Sequence, residues 1–296
     1  MGLIGVMRQG YGPAKLIKKN FGISYISIIV HYFLRKDEPL NIVLKGQNIS
    51  MVLLNIAGLV RLLNDGWEVK SIDDDYIKIF NNDGSIIRCR LRRGLDIAHL
   101  AEIWVEKNYS FDFKDKNVVD IGASNGDSSV FFAKNGARQV IASEPDRNSF
   151  LLALENVRES GVAENVTVIN KAVTGKTEKR EIILYDHYPN ANSIDSTNAV
   201  VLDDSKRMEY IECISLKEVV NMLNGGEIGL LKMDCEGCEY ESLRSLDSGY
   251  YDRIEKIVFE YHNGIQDLPN FLSKNGFNCV IKGNKNKSGY IIARKS

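Results

Sequence analysis

Cysteine is scarce in this 296-residue sequence: five residues, Cys89, Cys213, Cys235, Cys238 and Cys279. A small and odd number argues against a disulfide scaffold and for a reducing compartment, so a cytoplasmic protein is expected. Long hydrophobic runs are also missing. The longest, Phe21–Leu34, covers 14 residues and is broken by Ser24, Tyr25, Ser27 and His31; a membrane span needs about 20. No small-residue cleavage site follows it, so it does not read as a secretory signal. Charge of one sign is lacking as well. With 38 basic and 39 acidic residues the net charge is −1, which excludes a general polyanion binder. There is no internal repeat and no low-complexity tract. At 44% hydrophobic and 26% charged residues, disorder, collagen and coiled coil are excluded for the chain as a whole. At about 150 residues per domain, the length suits two domains or one large one.

The charge that is present is unevenly spread. Residues 1–36 contain six basic residues and no acid, residues 1–116 sum to 17 − 13 = +4, and the remaining 180 sum to 21 − 26 = −5. The front of the chain is therefore expected to be a separate α+β unit, 1–95, followed by a helix and connector, 96–116. The acid-free residues 1–36 are either a solvated helix with a buried strand, or a surface for peripheral contact with anionic lipid. Ser50 is placed to cap a helix over 51–64, and Asp96 to cap another over 97–107. Two β-rich runs, 76–80 and 86–91, flank Asn81-Asn82-Asp83-Gly84, a hairpin signal.

From 117 to 296 strands alternate with helices. Strands are expected at 118–121, 139–142, 166–170, 181–185, 229–233 and 256–260, with a closing pair near 278–282 and 289–293. Helices fit 127–135, 147–160, 216–223, 238–246 and 265–274. This alternation predicts an α/β fold with a doubly wound, mainly parallel seven-stranded sheet, its last hairpin leaving one strand antiparallel.

Two strings carry chemistry. In VVDIGASNG (118–126) a hydrophobic strand runs into a glycine turn and a helix, and Glu144 ends the next strand. That pattern suits a nucleotide-type ligand at the carboxyl edge, with the acid on the ribose hydroxyls. Asp120 discriminates between ligands. A carboxylate facing a pyrophosphate is costly, whereas the ammonium and sulfonium of S-adenosylmethionine suit it. Ser124 at the middle position also makes the turn poorer in glycine than G-x-G-x-x-G. A dinucleotide and a turn with no ligand remain the alternatives. The second string, LLKMDCEGCE (230–239), also ends a strand and opens a helix. Acids there suit the helix dipole, but a lysine inside an apolar strand, Lys232, needs a buried acidic partner, with Glu260 or Asp234 expected.

These strings, with ASEPD (142–146), ECISLKEVV (212–220) and VFEYH (258–262), resemble the FkbM family of S-adenosylmethionine-dependent methyltransferases. The resemblance covers about 100–260, and K-x-D-x-E-G-x-E is a specific part of it. It implies a Rossmann-like class I methyltransferase domain and O-methylation of a hydroxyl on a sugar, glycan or small metabolite. Carried over by position, the cofactor residues are Asp120, Gly122, Ala123, Ser124, Asn125, Gly126, Glu144, Pro145, Lys171, Ala172 and Asp234. Residues 187–205 depart from the family and bear on acceptor specificity. Asp234, Glu236 and His262 are the catalytic candidates. A Mg²⁺ site is possible if Asp234, Glu236 and Glu260 converge, although no metal residue is assigned. Cys235 and Cys238 lack a second ligand pair at zinc spacing and are expected to be packing residues. An RNA base methyltransferase and a non-catalytic binding module are the competing functions. The acidic core disfavours nucleic acid, and intact Asp120 and Glu144 disfavour the binding module.

Overall fold

A computed structural model describes residues 39–109, 111–185, 192, 206–223, 225–262 and 264–296. The acid-free residues 1–36 and nearly all of 187–205 fall outside them. So the lipid-contact and acceptor-specificity expectations for those segments lie outside the described residues. The chain divides into two units, Met1–Tyr109 and Ser110–Ser296.

In the first unit, β1 (Leu40–Leu44) and β2 (Gln47–Met51) form an antiparallel hairpin. Helix α1 spans Leu53–Asn64, β3 Glu68–Ile72, β4 Tyr76–Phe80 and β5 Ile86–Arg90, and α2 Asp96–Trp104. β3, β4 and β5 make a three-stranded sheet in that order. The Asn81–Gly84 turn joins β4 to β5 as expected, with Gly84 at φ 82°. The two expected caps differ. Ser50 pairs with Asn41 inside the β1–β2 ladder, and Val52 occupies the N-cap of α1 without a side-chain bond. Asp96 lies inside α2 rather than capping it. Its buried carboxylate takes a two-point contact from the Arg90 guanidinium, at 2.9 and 2.8 Å. In both places a more distant partner outcompetes the local cap.

The second unit is built on β6 (Asn117–Ile121), β7 (Gln139–Ser143), β8 (Val166–Ile169), β12 (Ile228–Met233), β13 (Lys256–Tyr261), β14 (Phe277–Gly283) and β15 (Gly289–Lys295). They form one seven-stranded sheet in the order β14-β15-β13-β12-β6-β7-β8. All neighbours are parallel except at β15, which runs antiparallel to both β13 and β14. This is a Rossmann-like doubly wound α/β sheet. Its crossovers include α3 (Asp127–Lys134), α4 (Arg147–Glu159), α5 (Leu216–Asn221), α6 (Glu239–Arg244), α7 (Ser248–Tyr251) and α8 (Leu268–Lys274). β6 and β12 are fully buried runs, as central parallel strands covered on both faces must be. A satellite sheet joins β10 (Lys179–Tyr185), β11 (Lys206–Ser215) and β9 (Ala172–Thr174) in that order. The strand order reverses between β6 and β12, so the crevice at their carboxyl ends is where such sheets hold ligands.

No helix among the described residues is long and apolar enough to cross a membrane.

Candidate active site at the strand tips

The turn after β6 is tied to both neighbouring strands. Gly122 and Ala123 donate their N–H groups to Ser143 O at the end of β7, at 3.0 and 3.1 Å. On the other side Asp234 donates its N–H to Ile121 O at 3.0 Å. Gly122 has φ +74°, and a Cβ there would meet Asp234 O at 1.8 Å. Only glycine lets the turn lie this close to the end of β12. Gly126, at φ +80°, sits against Ala153 of α4 in the same way.

Glu144 follows β7 and is buried. Its Oε2 accepts the Ser124 N–H at 2.9 Å and its Oε1 the Asp146 N–H at 2.8 Å, so it organises the turn across the crevice. Asn125 is buried, and its carbonyl accepts from the Asn156 side chain at 2.8 Å. Asn170 Nδ2 donates to Glu144 O and Pro145 O at 2.9 and 2.8 Å. The Lys171 carbonyl accepts from Ser143 Oγ at 2.6 Å, its ammonium lies 3.6 Å from Glu212, and Ala172 opens β9, buried.

Asp120 and Lys232 form a unit behind the turn. They are register partners on β6 and β12, and Lys232 Nζ lies 3.1 Å from Asp120 Oδ1. This corrects the expected partner of Lys232. The lateral neighbours of Lys232 are Asp120 on β6 and Val258 on β13, while Asp234 lies past the end of β12 and Glu260 two residues further along β13. The other oxygen of Asp120 accepts from Ser128 Oγ and Ser129 Oγ at 2.7 and 2.6 Å. Asp120 is fully buried, so its charge meets this lysine and two hydroxyls. Lys232 also donates to Gly122 O at 2.6 Å, which fixes a carbonyl of the turn. Burial disfavours the ammonium, but the charges of Asp120 and Asp234 outweigh it and hold Lys232 above the usual lysine range.

The second string forms a tight loop between β12 and α6. Cys235 and Cys238 are joined by a disulfide, which corrects their expected role as separate packing residues. The tight turn ahead of α6, with Glu236 and Gly237 both at positive φ, brings their Cα atoms to 5.6 Å. Glu239, fully buried, accepts N–H bonds from Cys235 and Gly237, both at 3.0 Å. Burial pushes its carboxyl up to about 7 against those bonds. Glu236 sits at φ +54°. Burial, with the charges of Asp234, Glu239 and Glu260, pushes its carboxyl up to about 9.

Asp234, Glu236 and His262, the last just past β13, come together: one potential ligand atom from each lies within 4.8 Å of the others. His262 Nε2 is 3.4 Å from Glu236 Oε2. Burial lowers the imidazole below its ordinary value, partly opposed by Asp234. The converging metal-type set is thus Asp234, Glu236 and His262, with His262 in the place where Glu260 was expected. His262 lies two residues past Glu260, just beyond the end of β13.

Rice sequences from Oryza sativa subsp. indica and subsp. japonica, both protein arginine N-methyltransferase 1, are 42% identical over 73 residues. That is 25% of this chain and 18% of theirs, so the chain spans under a fifth of those curated relatives. Among solved structures, methyltransferase FkbM from Methylobacillus flagellatus KT is similar with a TM-score of 0.42 and 16% identity, over 64% of this chain and 46% of that one. M. capricolum TrmK, in complex with S-adenosyl-homocysteine, has a TM-score of 0.37 and 11% identity, over 60% of this chain and 61% of that one. The profile of the methyltransferase FkbM domain matches residues 120–279, more than half of the chain, from the buried Asp120 through the Asp234 loop to β14, and this chain belongs to that methyltransferase family.

Proposed function

We propose that the chain transfers a methyl group from S-adenosylmethionine to a hydroxyl on a sugar, glycan or small metabolite. The observation that carries this reading is the state of the turn after β6. The N–H groups of Gly122, Ala123 and Ser124 are already given to Ser143 O and Glu144, and that of Gly126 to Ala123 O at 2.7 Å. Few remain for a pyrophosphate, which needs them. The lysine beside the turn faces Asp120 and a carbonyl. What the edge offers is carbonyls and carboxylates, which suit a cationic ligand and a ribose diol.

In this reading Gly122, Ala123, Ser124, Asn125 and Gly126 hold the cofactor's backbone-facing side. Glu144 and Pro145 hold the ribose, and Lys171 and Ala172 border the adenine. The cofactor supplies an electrophilic sulfonium methyl group when bound. The chain's own work is alignment and removal of the acceptor's proton. Asp234, Glu236 and His262 surround the place where the acceptor oxygen belongs. Burial holds the His262 imidazole in its neutral form beside the two carboxylates.

Two variants test this. Glu144→Ala should weaken S-adenosylhomocysteine binding by about 1.5–3 kcal/mol, the scale of a hydrogen bond to a charged group. Asp234→Asn should keep that binding and lower kcat by about 10²–10⁴. Calorimetry on both variants and saturating kinetics on the second decide the matter. Unchanged affinity in Glu144→Ala would refute the assignment of the ribose side.

A further inference from the structure

We propose that Asp234, Glu236 and His262 form a binding site for one divalent metal cation, of the kind that accepts both carboxylate and imidazole ligands, for which Mn²⁺ serves as the probe. For its purpose the site rests on methyl transfer taking place at this edge. Its ligands rest on geometry alone.

Three side chains from two separate strand tips and one loop bring oxygen, oxygen and nitrogen atoms to within 4.8 Å of one another. Ligands on opposite sides of one ion stand up to about 4–5 Å apart, so that spacing is compatible with a single ion. A second observation points the same way. His262 Nε2 is buried and makes no hydrogen bond, with Glu236 Oε2 3.4 Å away. A buried polar nitrogen without a partner is costly, and a metal ligand is the role in which a neutral imidazole presents a bare nitrogen. The third observation is charge. Asp234, Glu239 and Glu260, all acidic, are among the groups whose charges act on Glu236, and the nearby Lys232 is bound to Asp120. Carboxylates gathered at low dielectric call for a cation among them.

The scaffold holds the ligands before any ion arrives. The disulfide from Cys235 to Cys238 closes the loop that bears Glu236. Glu239 grips the same loop through two backbone N–H groups. Asp234 is tied to β6 through its own N–H. Two carboxylates and one imidazole are harder than a zinc thiolate site and softer than an all-oxygen calcium cage, which favours Mn²⁺ over Ca²⁺. The protein supplies three ligands, so positions remain for water or for the oxygen of an acceptor. An ion there would orient that oxygen and make its proton easier to lose.

The test uses the full chain after chelator treatment. Mn²⁺ is titrated in and followed by calorimetry and by the paramagnetic resonance signal of the free ion. A single saturable site is expected, weakened roughly tenfold or more, no less than loss of a supporting group costs, in both Glu236→Gln and His262→Ala, with Ca²⁺ binding more weakly. Absence of saturable Mn²⁺ binding overturns the proposal, and so does equal binding in folded variants. Circular dichroism identifies the folded ones, and if one fails to fold the other decides. S-adenosylhomocysteine binding, measured on the same chelated samples, separates the two readings. Retained binding with no Mn²⁺ site overturns the cation alone, whereas a Mn²⁺ site without S-adenosylhomocysteine binding keeps the cation and overturns the cofactor assignment.

Discussion

Lys232 shows how a single residue can be recognised as out of place before its purpose is visible. A lysine in the middle of LLKM has to be buried, and a buried ammonium has to find an acid. The sequence pattern makes that demand but does not name the partner, because β6 and β12 lie more than a hundred residues apart in the chain. Only the pairing of Lys232 with Asp120 across parallel strands does so. The same separation hid the work of Asp120, which reads in sequence as a carboxylate facing the ligand and is fully buried in the fold. Replacing the lysine leaves Asp120 with two hydroxyls and no countercharge. Lys232→Met should therefore cost about 3–5 kcal/mol, the usual loss when one partner of a buried pair is removed. Adding Asp120→Asn should recover part of that loss, since the uncompensated charge goes with it. Urea unfolding of the two single variants and the double variant gives the coupling. Strictly additive losses would mean that the two side chains do not act as a pair.

At the scale of elements, the strand–helix alternation of the second unit was legible nearly to the residue, because parallel strands buried on both faces are written as unbroken apolar runs. β9 and β11 were missed. β11 reads KRMEYIECIS, with Met208 and Tyr210 exposed, so neither an apolar run nor clean alternation marks it. The β1–β2 hairpin was missed for a similar reason: Lys45 and Gly46 form its turn with both φ positive, a role the sequence gives to Gly46 but does not announce for Lys45. The loop between β12 and α6 was legible as an acidic strand tip and not as a disulfide-closed clamp. This loop also has a pH signature. Glu239 is pushed up to about 7 and Glu236 to about 9, from an ordinary value of 4.5. Between those limits the folded chain retains protons that the unfolded chain has released, so the contribution to stability is full below about pH 4.5 and falls as pH rises, to about 7 for Glu239 and about 9 for Glu236. In chelator, the stability difference between wild type and Glu239→Gln should shrink from pH 5 to pH 7 and then level off. The corresponding difference for Glu236→Gln should go on shrinking to pH 9. Urea midpoints across that range measure both slopes, and a difference that does not vary with pH would mean that these carboxyls titrate normally in the fold.

At the scale of the whole molecule, the chain divides into two units between Tyr109 and Ser110. Charge reports what each segment faces and not which helix packs with which sheet, so α2, placed by sequence with the connector, falls in the first unit. Every residue proposed to touch the cofactor, the acceptor oxygen or the cation lies between 120 and 262, inside the second unit and inside the stretch that matches the methyltransferase FkbM domain. That unit contains all seven strands of the main sheet, including the antiparallel β15 that completes it. The hydrogen bonds that shape the turn after β6 come from Ser143, Glu144, Asp234 and Lys232, again all within it. Residues 110–296 expressed alone should therefore bind S-adenosylhomocysteine within about threefold of the full chain, a difference of roughly 0.6 kcal/mol. At a hundred times Kd the ligand should raise the fragment's unfolding free energy by about 2.7 kcal/mol. Methyl transfer is a separate matter, since the acceptor's contacts are not confined to this unit by any of these bonds. Thermal unfolding of the fragment, with and without ligand, gives the comparison directly. A fragment that folds cooperatively yet shows no ligand-induced shift would locate part of the cofactor site in residues 1–109.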